Sequence, residues 1–173
     1  MKTILLVIAM TCLSFYGCSK KDEARDTSRD VNGTDSSFLK MAIAANKGEF
    51  EIDQIGYANL NDSVLKWFNI IEIAEHDTMK TELRAIANAL KVVVPDSLDM
   101  EFAALKEQLL TLSGREFDSV YIHNKAEHLE TFVTLLGREV QNGNNISLRN
   151  FAYTKLPILQ THLQIADTLA NHY

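Results

Sequence analysis

Proline and glycine are scarce in this 173-residue chain, at two and seven copies, which argues against a loop-rich sandwich or barrel. Cysteine is confined to Cys12 and Cys18 near the N-terminus, so no disulfide framework can staple the body of the chain. Positive charge is in the minority: 17 Lys and Arg face 23 Asp and Glu, for a formal net charge of −6. With no basic stripe interleaved with aromatics, that balance argues against nucleic-acid binding. There is also no Gly-rich phosphate loop, no Gly-x-Ser-x-Gly and no His-Glu-x-x-His, so no familiar catalytic constellation is present.

What is present favours helices. Apolar residues make up 46% and charged residues 23%, which is enough to build a core, and Leu, Ala, Glu and Lys are plentiful.

The N-terminus reads as an export segment. Met1-Lys2 supplies positive charge, and Ile4 to Tyr16 is uncharged and mostly apolar. This stretch falls short of the ~20 residues a membrane-spanning helix needs, so a cleaved signal peptide over 1–17 is expected. Phe15-Tyr16-Gly17-Cys18 resembles the lipobox of bacterial lipoproteins, in which a small residue precedes the cysteine that becomes lipidated. Cys12 is the competing position, but it would leave Leu13 to Tyr16 as an apolar start to the mature chain. Cys18 is followed at once by Ser19-Lys20-Lys21-Asp22-Glu23. Lipidation is therefore expected at Cys18, with the membrane as partner. Ser19 next to it points to the outer membrane, with the domain facing the periplasm or the cell surface. Residues 18–35 are polar and without hydrophobic period, and read as a tether reaching ~20–25 Å.

From residue 36 a 3.6-residue period takes over. Long helices are expected over about 36–59, 61–91, 113–141 and 146–171, with a shorter one over about 97–112. Asp35 or Ser36 is the expected first cap. Ser113 and Glu116 are spaced as a capping box, and Pro157 should kink the last helix. The default architecture is an all-α four-helix bundle with an extra short helix between the second and third long ones.

Polar residues on the apolar stripes are the candidate site. Glu72 and His76 share the stripe of Phe68, Met79 and Leu83, four residues apart, so their side chains can meet. Glu51 lies with Gly48, Ile52 and Ile55 on the first helix. His128 lies with Tyr121, Phe132 and Leu135, and His162 with Leu159, Ala166 and Leu169. At 1.5 Å per residue, Glu51 pairs in height with Glu72, and His128 with His162. Asp118 is about 15 Å along its helix from His128 and cannot share that site. Whether the two pairs meet depends on the offset set by the short helix.

The same positions carry a family likeness. Glu51, Glu75-His76, Pro95, Gly114, Phe117-Asp118, Tyr121, His128, Leu156-Pro157, Leu159 and His162-Leu163 stand in an order and spacing that resembles the bacterial "domain of unknown function 4142" family. The likeness covers about residues 36–170. It implies a ferritin-like bundle over 36–173 and a place in the cell envelope, and it marks Glu75, Asp118 and Tyr121 as further polar family positions. It implies no reaction. Di-iron ferritin-like enzymes need Glu-x-x-His on two helices, a spacing absent here.

The sequence thus points first to a non-enzymatic, lipid-anchored envelope bundle that binds a protein partner or small ligand and needs no cofactor. The alternative is a Zn- or Fe-binding bundle using Glu51, Glu72, His76, His128 and His162.

Overall fold

The computed structural model describes residues 30–94 and 96–173. Cys12, Cys18, the export segment, most of the expected tether and Pro95 lie outside the described residues. Five helices follow in order: α1 Gly33–Asn59, α2 Ser63–Leu90, α3 Met100–Leu109, α4 Gly114–Asn142 and α5 Ile146–Ala170. The four long ones form the bundle and α3 is the short extra helix. No described helix is long and apolar enough to cross a membrane.

Two buried aspartates tie the helix ends together and fix the directions. Asp35 forms a capping box with Asn32, and its Oδ1 accepts from the Asn144 and Asn145 amides at 3.0 and 3.2 Å. The start of α1 is thereby pinned to the α4–α5 turn. At the other end, Asp118 accepts from the Asn61 and Asp62 amides at 2.9 and 3.0 Å, pinning the α1–α2 turn to the start of α4. Arg115 donates to the His172 carbonyl there, which places the end of α5 at the same pole. So α1 and α5 run one way, α2 and α4 the other. The 91–113 link carrying α3 crosses the length of the bundle.

Local sequence explains the boundaries, with two corrections. The first helix begins at Gly33 rather than at 36, because Asn32 and Asp35 satisfy each other's orphan amides. Residues 33–35, expected in the tether, are therefore helical. The capping box expected at Ser113 does not form: Ser113 makes no side-chain cap bond. Gly114, next to it, takes a left-handed φ of 63°, a backbone state that favours glycine. Pro157 sits within α5, and an asparagine, Asn145, caps that helix by accepting from Ser147 and Leu148.

The apolar core fills both ends of the bundle. Leu39, Leu83, Leu136 and Leu148 are fully buried toward the α4–α5 turn, and Leu65, Phe68 and Phe117 toward the α1–α2 turn. Each large side chain buried this way stabilises by about 1.5–3 kcal/mol. Between these apolar ends lies a polar layer.

Candidate metal centre

All four long helices send charged or polar side chains into that layer. From α1 come Asn46, Glu49 and Asp53; from α2, Asn69, Glu72 and His76; from α4, Tyr121, Lys125 and His128; from α5, His162. All are buried, and only His128 and His162, at 8% exposed, approach the surface. Burying so much charge is costly unless every member is paired.

Lys125 is the first organiser. Its ammonium pairs with Glu49 Oε2, with Asp53 Oδ1 at 2.6 Å and with Glu72 Oε2 at 3.7 Å. Tyr121 supports the same edge by donating its hydroxyl to Asp53 Oδ1 at 2.8 Å. Asn69 in turn donates to the Tyr121 oxygen and to the Asp53 carbonyl, both at 3.0 Å. Gly56 makes room for this arrangement, since a Cβ there would stand 2.8 Å from the Tyr121 ring and 2.9 Å from the Asn69 amide.

The opposite edge is lined by histidines. Asn46 gives its Nδ2 to the His76 carbonyl at 3.0 Å, so its Oδ1 faces His76 Nδ1 at 2.9 Å and accepts that ring proton. In the neutral ring, His76 Nε2 then carries a lone pair, and it points at Glu72 Oε2 (3.5 Å) and Asp53 Oδ2 (3.9 Å). His128 Nδ1 stands 2.8 Å from Glu49 Oε1, and His162 Nδ1 stands 2.5 Å from Glu72 Oε1. These approaches lie off the ring N–H direction. Glu49 Oε1, Asp53 Oδ2, both Glu72 oxygens, His76 Nε2 and His162 Nδ1 have no hydrogen-bond partner among the described residues.

The electrostatics follow from burial against a dense set of opposite charges. Burial lifts the Asp53 carboxyl to about 6, against the pull of Lys125 and His76. For Glu49 burial also pushes upward, but Lys125 and the two nearby imidazoles outweigh it and hold the group below its usual range. Glu72 is likewise driven low, because His162, His76 and Lys125 overcome its burial. Burial would depress His76 and His128, yet Glu72 and Glu49 respectively raise them. Lys125 stays charged, raised well above its ordinary value despite burial because Asp53 and Glu49 hold its proton.

The chemistry of this donor set is that of a cation site. Glu49, Asp53 and His76 each offer a ligand atom, all within 4.8 Å of one another. In tetrahedral coordination with bonds near 2.1 Å, ligand atoms stand about 3.4 Å apart, so a contraction of up to roughly 1.4 Å would close the set. Asn46 holds His76 the way outer-shell partners hold metal-binding imidazoles, by occupying the other ring nitrogen. Three carboxylates face the one ammonium of Lys125. The remaining two negative charges are balanced either by protons on His76 and His128, whose imidazoles are raised, against burial, by Glu72 and Glu49, or by a divalent ion.

Of the residues singled out from sequence, Glu72, His76, His128, His162 and Tyr121 meet in this layer. Glu51 does not. Its side chain is 32% exposed and pairs with Lys106 of α3 at 3.2 Å, because the inward face of α1 runs through Ala42, Asn46, Glu49, Asp53 and Gly56. Glu75 lies outside, paired with Lys155 at 3.1 Å, and Asp118 is the cap described above. Sequence reasoning missed Glu49, Asp53, Asn46 and Lys125. Their spacing links them only to neighbours that the structure shows buried: Asn46 is four after Ala42, Asp53 four after Glu49 and three before Gly56, and Lys125 four after Tyr121.

No curated protein and no solved structure matches the chain. A family model does, over residues 20–169, and its description is "Domain of unknown function (DUF4142)". That match takes in α1 to α4, α5 up to its last residue and every residue of the polar layer, so the chain belongs to the DUF4142 family of domains of unknown function.

Proposed function

We propose that this protein is a lipid-anchored component of the cell envelope whose bundle core binds a divalent metal ion, zinc or ferrous iron in class. Glu49, Asp53 and His76 are the ligands, with Glu72 beside them and His128 and His162 closing the site from the surface side. One observation carries the reading: His76 Nε2 is buried without a hydrogen-bond partner, and Asn46, by holding Nδ1, turns it toward the carboxylates of Glu72 and Asp53 at 3.5 and 3.9 Å, where a metal ion can take the place of the ring proton that Glu72 favours. Lone pairs converging in a low-dielectric interior repel one another unless a proton or a cation lies between them. Carboxylate and imidazole ligands without thiolate suit zinc, iron or manganese. One long link between α2 and α4, among otherwise short ones, supports a ferritin-like reading of the bundle.

The partner- or ligand-binding role expected first from the sequence rested on the lack of catalytic motifs. A buried, unsatisfied donor set is the stronger indication, and it takes precedence. Anchoring rests on Met1-Lys2, the apolar Ile4–Tyr16 stretch and Gly17-Cys18-Ser19, which together favour an outer-membrane lipoprotein.

Elemental analysis of the purified full-length chain tests the metal reading. Near-stoichiometric zinc or iron, lost in His76→Ala, is expected. A metal-free protein that takes up neither ion would contradict it. Palmitate labelling tests the anchor: label on the precursor should vanish in Cys18→Ala, and label persisting there would reassign the site.

A further inference from the structure

Lys125 sits where a second metal ion would sit in a dinuclear carboxylate centre. Its ammonium takes one oxygen from each of Glu49, Asp53 and Glu72. Glu49 and Asp53 turn their other oxygens away from Lys125, toward His128 Nδ1 and His76 Nε2. Glu72 does the same with Oε1, toward His162 Nδ1. Each carboxylate thus bridges two cation positions. Bridging carboxylates of this kind hold ion pairs about 3.5–4 Å apart in two-metal sites. Here three imidazole nitrogens approach the carboxylate oxygens that Lys125 does not take.

We infer that Lys125 is a resident cation that fills one of the two positions, so that the site accepts a single divalent ion and excludes a pair. This rests on the metal-binding reading above. The charge balance agrees: with neutral imidazoles, three carboxylates meet one ammonium and one divalent ion with no net charge. A second divalent ion would bring two surplus positive charges into the same buried layer. The ammonium is committed there, fully buried, packed over the Tyr121 ring at 5.9 Å and held by full ion pairs. Metal cannot displace it without stranding a buried charge, which is strongly unfavourable.

The test uses the full-length chain loaded with Mn²⁺, with ions counted per chain and the bound ion followed by electron paramagnetic resonance. Wild type should hold one ion with the spectrum of an isolated centre. Lys125→Glu, which exchanges the cation for a ligand, should hold two ions with a spin-coupled spectrum. Lys125→Met, which keeps the stem without the charge, should also admit a second, weaker ion. Two coupled ions in wild type would overturn the inference, whatever the variants do. So would folded Lys125→Glu and Lys125→Met chains that each still hold one ion. No ion in wild type would instead overturn the metal-binding reading itself.

Discussion

Asn46 and His76, thirty positions apart in sequence, hold each other through two hydrogen bonds: the asparagine amide donates to the histidine carbonyl, and the His76 Nδ1–H donates to the asparagine oxygen. The first bond fixes which way the amide points. The second therefore fixes which ring nitrogen carries the proton, and so leaves Nε2 to face the carboxylates.

Asn46 is accordingly a positioning residue for metal. Asn46→Leu should weaken zinc binding by about 10- to 100-fold, read by competition with a chromophoric chelator. Asn46→Asp retains an acceptor for Nδ1–H and should keep or strengthen binding. Equal loss in both variants would show that Asn46 contributes packing and not ring orientation.

Asp118 makes the opposite prediction. Its carboxylate holds the Asn61 and Asp62 amides at the bundle pole, ten residues before His128 on α4. Asp118→Ala removes two charge-assisted bonds and should cost about 1.5–3 kcal/mol, with faster amide exchange at residues 61 and 62. Metal affinity of the folded variant should not change. A large loss of affinity without loss of stability would move Asp118 into the site.

How far the sequence carries can be judged residue by residue. Glu72 and His76 were visible because they interrupt a stripe of large apolar side chains. Lys125 was not, although it stands four after Tyr121 and three before His128. A lysine is rarely buried, and periodicity alone gives no reason to place one in a core. Three carboxylates from two other helices make its burial favourable, and that is a tertiary fact. Glu51 failed for a related reason. It shares a face with Gly48 and Ile55, but that side of α1 is covered by α3, where Phe102 packs where a Cβ on residue 48 would lie. The placement of α3 sets this, and 91–113 carries no pattern that encodes it. Helix count, order and approximate ends were legible because capping and periodicity are local.

Glu139 predicts a pH effect independent of metal. Burial, with the Asp35 carboxylate nearby, lifts its carboxyl to about 7, against a weaker pull from Arg149. Since the folded value is raised above the unfolded one, the native chain binds the extra proton between about pH 4.5 and 7, and stability is lost as pH rises through that window. Glu139→Gln should match wild type below about pH 4.5 and gain steadily above it, by roughly 1–2 kcal/mol at pH 8. Denaturant unfolding across that range gives the difference. A gain independent of pH would contradict the assignment.

A crystal structure of the zinc-loaded chain, with anomalous data collected at the zinc edge, would locate the ion itself. One strong peak is expected inside the bundle, within bonding distance of the His76 ring and of the Glu49 and Asp53 carboxylates. A core without a peak, with zinc only on exposed side chains such as His123 or His172, would contradict it.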